Sequence, residues 1–184
     1  MKLKDKIAYK LMFSLYERGE ILLPNFFWTH FEADILRIRR SGQVYEYEIK
    51  TTRADYFKDF EKGFGGYCSP ITKKHALIKQ KEANISRFLF VVPEGLIKHD
   101  EVPEYAGLIY YKNEFFYNQL SGKLLTRNPI INYKMIAGKL GLREFQFRNK
   151  FRFYNETLNG LRDENKWLRS QIKKESLDIK NQVI

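Results

Sequence analysis

Apolar residues at Ile7, Leu11, Met12 and Leu15 recur at helical spacing, so residues 3–18 are predicted to form a helix that Gly19 ends. Ile21–Trp28 is apolar and aromatic with Pro24 inside it, which suits an edge strand. Two strand-like runs follow, Ala33–Arg39 and Gln43–Lys50, around Arg40-Ser41-Gly42. Residues 53–62 read as a short helix, Gly63–Gly66 as a loop and Lys73–Ala83 as a second helical stretch. Ser86–Val92 is a continuous apolar run closed by Pro93, the pattern of a strand buried on both faces. Gly107–Tyr111 and Glu114–Asn118 predict a hairpin around Lys112-Asn113, and from Leu142 onward a helical pattern continues without proline. The expected fold is a mixed α/β core followed by a helical extension.

Composition narrows what such a chain can be. Its 184 residues are enough for a real core, and 43% hydrophobic with 16% aromatic residues exclude a wholly disordered chain. A single cysteine, Cys68, excludes a disulfide scaffold and fits a reducing, cytoplasmic compartment. No apolar run reaches the length of a membrane helix. The net charge of +11 points to a polyanionic partner, and its placement sharpens that expectation. Residues 1–122 carry a net +3, residues 123–174 a net +9 and the last ten −1, so the expected division is a near-neutral domain 1–122 and a basic helical extension 123–184.

The candidate chemistry lies in Glu32-Ala33-Asp34-Ile35-Leu36 and Tyr45-Glu46-Tyr47-Glu48-Ile49-Lys50. Strand alternation puts Glu46, Glu48 and Lys50 on one face. A three-residue turn with Gly42 in the left-handed position pairs Arg39 with Gln43 and hence Asp34 with Glu48, whereas a two-residue loop would set Asp34 against Ile49 and scatter the cluster. Asp34 also continues the face of Leu36 and Ile38, where an apolar residue would be expected. Two carboxylates held this close repel unless a cation intervenes. Carboxylates, a backbone carbonyl such as that of Ile49, and water are the ligands Mg²⁺ prefers. Such an ion polarises phosphoryl oxygens and acidifies water, and Lys50 beside it suits transition-state charge. Spacing alone favours the plainer arrangement, in which Asp34 caps or ends its strand and Glu48 and Lys50 form a cross-strand ion pair on a solvated face.

These segments, with Ala54-Asp55-Tyr56, Phe88–Leu96 and Val102–Ile109, resemble the PD-(D/E)XK nuclease superfamily, and within it the MmcB-like branch of DNA-repair nucleases. The likeness runs over roughly residues 30–111, and the residue before Asp34 is alanine where the family often has proline. The resemblance implies a restriction-endonuclease-like α-β-β-β-α-β core and Mg²⁺-dependent cleavage of nucleic-acid phosphodiesters, with Mn²⁺ able to substitute. It implies Asp34 and Glu48 as metal ligands, Lys50 as the catalytic lysine, and a further acid on the first helix, for which Glu17 is preferred over Glu20. It also implies a lysine after the second helix, with Lys73 and Lys74 the nearest matches.

Asp55 and Asp59 stand at helical spacing behind this motif and suit either support of Lys50 or helix capping and surface charge. Thr51 and Thr52 suit helix capping. His30, His75 and His99 have no zinc-ligand spacing. In the C-terminal region Tyr154, Leu158, Leu161, Asn165, Leu168 and Ile172 form an a/d seam, which suits a coiled coil joining two protomers or an amphipathic helix packed on its own domain. Lys74, Arg143, Arg148, Lys150 and Arg152 are the candidate DNA-binding residues, the last four on a helix able to follow a phosphate backbone. The leading expectation is thus a cytoplasmic Mg²⁺-dependent deoxyribonuclease. A non-cleaving nucleic-acid binder and a dimeric adaptor for an acidic protein remain as alternatives from other classes.

Overall fold

The computed structural model describes residues 1–28, 30–64 and 72–182. Cys68 and the second half of the predicted glycine loop, Gly65-Gly66, lie outside these residues, and the first half, Gly63-Phe64, is a short strand rather than loop. In chain order the elements are α1 (Leu3–Leu15), β1 (Ile21–Trp28), β2 (Phe31–Ile38), β3 (Val44–Ile49), α2 (Arg53–Asp59), the two-residue strands β4 (Gly63–Phe64) and β5 (Thr72–Lys73), α3 (Lys74–Lys79), β6 (Arg87–Pro93), β7 (Ala106–Lys112), β8 (Phe115–Leu120) and α4 (Tyr133–Gln182). The chain divides into two units, Met1–Ile131 and Asn132–Ile184.

The first unit is built on a six-stranded mixed sheet of order β1-β2-β3-β6-β7-β8. The outer pairs β1–β2, β2–β3 and β7–β8 are antiparallel, whereas β3, β6 and β7 run parallel. β1 takes the edge position expected of a strand containing proline. β6 lies inside the sheet, and Phe88 through Val92 are all buried, as its unbroken apolar run requires. The β2–β3 turn has the expected form: Arg39 N donates to Gln43 O at 2.9 Å, Gly42 N donates to Arg39 O at 2.9 Å, and Gly42 has φ +79°. Ile38 therefore faces Val44 and Leu36 faces Glu46, a register that sets Asp34 opposite Glu48. The β7–β8 turn is centred one residue later than expected, on Asn113 (φ 47°) and Glu114 (φ 71°), the two left-handed positions of a type I′ turn.

Each face of the sheet has its own cover. On one, Ile7 and Leu11 of α1 pack with Ile35, Tyr47, Ile49, Leu89, Val91, Ile109 and Tyr111. On the other, Tyr56 of α2 meets Phe90 edge-on at 4.8 Å between ring centroids, and His75 of α3 lies 4.4 Å from Phe60.

The first unit runs on past the expected boundary at Gly122 to Ile131 because residues 123–131 remain tied to the sheet. Leu125 N donates to Ser86 O at 2.9 Å, and the Asn84 side chain both donates to Ile130 O (2.9 Å) and accepts from Ile130 N (2.8 Å). Lys123 and Arg127 thereby belong to the first unit and raise its net charge from +3 to +5. The second unit is the helix α4, started by Asn132, whose Oδ1 accepts from Met135 N at 2.9 Å. Within it Leu161, Trp167 and Leu168 are exposed, and Asn165 Nδ2 donates to Leu161 O at 3.2 Å. The side chains of Tyr154 and Ile172, the ends of the expected seam, lie outside the described residues. Among the described residues no helix is long and apolar enough to cross a membrane.

Candidate active site

β3 carries the site because its sequence alternates two chemistries. Tyr45, Tyr47 and Ile49 point toward α1, and Glu46 and Glu48 point toward α2 and α3 with Lys50 just beyond the strand end. Glu46, Glu48 and Lys50 are all buried. Burying charge is costly without partners, and here the partners converge from four elements. Lys50 Nζ donates to Glu48 Oε2 (3.1 Å) and to Asp59 Oδ1 (2.6 Å). Lys74 Nζ bridges Glu48 Oε1 and Glu46 Oε1, the latter at 2.6 Å in ion-pair contact but outside hydrogen-bonding geometry. Lys62, half-exposed, completes the rim at 2.7 Å from Asp59. Three carboxylates thus meet three ammonium groups.

Asp59 extends this cluster into a chain. His75 Nε2 lies 2.8 Å from Asp59 Oδ2, and His75 Nδ1 lies 2.8 Å from the Tyr105 hydroxyl. One neutral tautomer satisfies both contacts, with the Tyr105 O–H donating to Nδ1 and Nε2–H donating to Asp59. Phe60, Phe88 and Phe90 surround the imidazole. Lys50, Asp59, His75 and Tyr105 form a continuous hydrogen-bonded line under the helical face.

The charges shape one another. Burial alone would raise Asp59 and Glu48, but His75 and the lysines hold Asp59 well below the carboxylate range, and Lys74, Lys50 and Lys62 hold Glu48 below its ordinary value. Burial would lower Lys50 and Lys74, yet the carboxylates around them raise both, so they stay cationic. Glu46 is raised, by burial first and by Glu48 beside it, even with Lys74 in contact. Burial, and then the charge of Asp59, pushes Tyr105 up to about 12.

Asp34 stands at the edge of this cluster. Its Oδ2 accepts from Ile49 N at 2.7 Å, and its Oδ1 meets Lys4 Nζ of α1 at 2.9 Å. Asp34 is raised by burial first and next by the charge of Glu48, with Lys4 and the Ile49 N–H opposing the rise. Asp34, Glu48 and the Ile49 carbonyl are the groups here that could hold a hard divalent ion, once Lys4 and the lysines on Glu48 give way. Among the described residues no group of three or more His, Cys, Asp or Glu side chains is placed to hold a metal. Two carboxylates and a backbone carbonyl would leave the remaining positions to water, which suits Mg²⁺, an ion that usually keeps several waters.

The structure therefore brings Asp34, Glu48, Ile49 and Lys50 together, and it moves two other expected residues elsewhere. Glu17 is not on the first helix, which stops at Leu15; it pairs with Arg37 at 3.1 Å on the α1 face of the sheet, away from Glu48. Glu20 is likewise committed to Arg37 and Arg39. The residue that α1 sends toward Asp34 is a lysine, Lys4. Lys74 is not a surface contact for DNA, because it is buried between Glu46 and Glu48, with its backbone N–H on Lys62 O. Arg143, Arg148, Lys150 and Arg152 are exposed on α4, where Arg148 also pairs with Glu144 at 2.8 Å. Asp55 is half-buried, its N–H donating to Thr52 Oγ1 at 3.1 Å.

The residues that pattern reading left out are Lys4, Lys62 and Tyr105, and His75, considered there for zinc, proves to be the partner of Asp59. One local signal pointed toward the cluster: Asp59 shares a helix face with the buried Tyr56 three residues earlier, and an acid on an apolar face needs a partner.

No family model and no curated protein matches the chain. Among solved structures it is similar to SPO1766, a protein of unknown function from Silicibacter pomeroyi, with TM-score 0.57 and 15% sequence identity over 79% of this chain and 90% of that one. At that identity the likeness is one of fold alone.

Proposed function

We propose that the protein is a Mg²⁺-dependent deoxyribonuclease with a restriction-endonuclease-like core, working at Asp34, Glu48 and Lys50. The observation that carries this reading is the opposition of Asp34 and Glu48 across the β2–β3 hairpin, where burial first and then the charge of Glu48 raise Asp34. Glu46, Glu48 and Asp59 are already balanced by three lysines, so that network is complete without Asp34, a fourth carboxylate at its edge. Asp34, Glu48 and the Ile49 carbonyl would hold the ion, with Mn²⁺ able to substitute. When bound, the ion polarises a phosphoryl oxygen and acidifies water.

The remaining work falls to the chain itself. Lys4, half-exposed on α1, can swing into solvent and release Asp34 Oδ1. Lys74 can give up Glu48 Oε1 while keeping Glu46. Lys50 stays cationic and stabilises negative charge developing on the phosphoryl oxygens, or orients the attacking water. Asp59, itself bonded to His75, fixes the position of the Lys50 ammonium so that little reorganisation is needed at the moment of reaction. Arg143, Arg148, Lys150 and Arg152 on α4 bind the DNA backbone, and the exposed Leu161 and Leu168 suit pairing with the same helix of a second copy.

The test is incubation of supercoiled, linear and single-stranded DNA, and of RNA, with Mg²⁺ or Mn²⁺, alongside Asp34→Ala, Glu48→Ala and Lys50→Ala. The expected result is wild-type cleavage of DNA that all three substitutions abolish. Cleavage unchanged in all three variants would remove the site assignment. A wild-type protein that binds DNA without cutting it would favour a non-cleaving nucleic-acid binder, a reading that draws on the lysines already paired with both Glu48 oxygens.

A further inference from the structure

Where Tyr105 ends the buried line, the first unit opens a cavity of about 440 Å³, within the size range of small-ligand sites. Its lining combines Lys79, Lys81 and Lys123 with Tyr105, Leu124 and Leu125, beside Pro103 and Glu104. Three pieces of chain build it. The end of α3 supplies Lys79, and the turn after it supplies Lys81. The turn closed by Ala106 N donating to Pro103 O at 2.8 Å supplies Tyr105. The segment after β8 supplies Lys123 to Leu125, drawn close to the sheet by Gly122. A Cβ on Gly122 would lie 2.8 Å from Phe88 O and 3.0 Å from Gly107 N, so only glycine lets this segment lie so near.

The composition of the cavity specifies an occupant. Three lysines face a single acid, Glu104, which is paired with Lys123, leaving an excess of positive charge around an apolar and aromatic floor. Lys81 (φ +66°) is the left-handed residue that caps α3, with Lys81 N donating to Ile78 O at 3.0 Å and Glu82 N to Leu77 O at 2.8 Å, and this cap places its side chain at the cavity. Lysines suit a phosphate, and a tyrosine beside two leucines suits the flat face of an unpaired base.

We propose that this cavity binds one nucleotide of a single-stranded nucleic acid, its phosphate on Lys79, Lys81 and Lys123 and its base against Tyr105. The choice of nucleic acid as the polyanion rests on the nuclease reading. Tyr105 is shared between the cavity and the line to Lys50, so a base seated here lies one hydrogen-bonded chain away from the catalytic lysine. The cavity thereby gives the proposed enzyme a grip on an unpaired strand that α4 does not provide.

The test is fluorescence anisotropy with a fluorescein-labelled oligo(dT) of about eight nucleotides, without divalent ion so that no cleavage intervenes. Lys79→Glu with Lys123→Glu is expected to weaken binding at least about tenfold and to reduce the salt slope by about 1.4. Tyr105→Ala is expected to weaken binding about tenfold, with Tyr105→Phe retaining most of the affinity. Lys81→Gly, which suits the left-handed cap, is expected to keep or raise the melting temperature while weakening binding. Wild-type affinity in the lysine and Tyr105→Ala variants, or no binding by the wild type, overturns the proposal. Displacement of the oligonucleotide by poly-glutamate at equal charge also overturns it and assigns the cavity to acidic peptides. If the wild type cleaves no nucleic acid while the cavity variants lose oligo(dT) binding, the nuclease reading fails and the cavity assignment stands.

Discussion

The two faces of β3 are one residue apart in sequence and opposite in chemistry. Toward α1, Tyr47 and Ile49 join an apolar cluster with Ile7, Leu11, Ile35, Leu89 and Val91. Toward α2 and α3, Glu46 and Glu48 join Lys50, Asp59, Lys74 and His75, buried to a similar degree but held by ion pairs. The apolar face tolerates any packing that fills its volume. The charged face has discrete partners, so the loss of one strands another without water to replace it. Stability could have been had more simply from two apolar faces, and a charged face retained at that cost points to use.

Stability measurements give the sharpest contrast. Lys74→Ala leaves Glu46 and Glu48 buried without their shared cation and is expected to cost about 3–5 kcal/mol by urea denaturation. Ile49→Ala on the apolar face is expected to cost about 2–5 kcal/mol through the cavity it leaves. If Lys74→Ala cost no more than the roughly 1 kcal/mol of an exposed ion pair, the charged face would not be the buried network described here.

A smaller effect separates positioning from packing. Asp59→Asn keeps the shape of the side chain but weakens its hold on Lys50, and is expected to lower kcat about 10–100-fold with little change in KM. An equal loss in KM would assign Asp59 to substrate binding instead.

The extent to which these faces could be read from sequence follows from how local their causes are. The β2–β3 register was legible because the Arg40-Ser41-Gly42 turn fixes it within a few residues, and with it the opposition of Asp34 and Glu48. The buried β6 and the edge position of β1 followed from an apolar run and a proline. The role of Glu17 was misread because the chain leaves the helical path at Tyr16, before the glycine expected to stop it. Lys74 looked like a surface charge because α3 is only six residues long, too short for periodicity to show which side is buried. The Lys50–Asp59–His75–Tyr105 line joins four separate elements, and no local pattern encodes such a meeting.

Asp34 tests the boundary between the two chemistries through pH. Its folded-state pKa is raised, so the folded protein holds that proton more tightly, and ionising Asp34 as pH rises through the carboxylate range and up to the folded value costs stability. Asp34→Asn removes this cost while still accepting from Ile49 N. The variant is expected to gain stability relative to wild type across that window, and no advantage is expected in more acidic solution. Glu48 and Asp59 have the opposite sign: their stabilisation is present above the ordinary carboxylate range and lost as pH falls through their lowered values. Urea unfolding of wild type and Asp34→Asn from acid to neutral pH checks both signs.

The smallest effect on the first unit is expected from removing most of α4. A chain ending at Asn149 should keep the stability of Met1–Ile131 to within about 0.5 kcal/mol, bind duplex DNA more weakly with a smaller salt slope through loss of Lys150 and Arg152, and scatter light as a smaller oligomer. A mass that falls only by the deleted residues would rule out pairing through the helix.

The central claim is that Asp34 and Glu48 together hold a divalent ion. Its most direct measurement is an electron paramagnetic resonance titration of Mn²⁺ into wild type and Asp34→Asn, a variant expected to fold at least as well. The expected result is one bound ion per chain in the wild type, displaced by Mg²⁺, and its loss in Asp34→Asn. Equal binding in the two proteins, or none in the wild type, would contradict the claim.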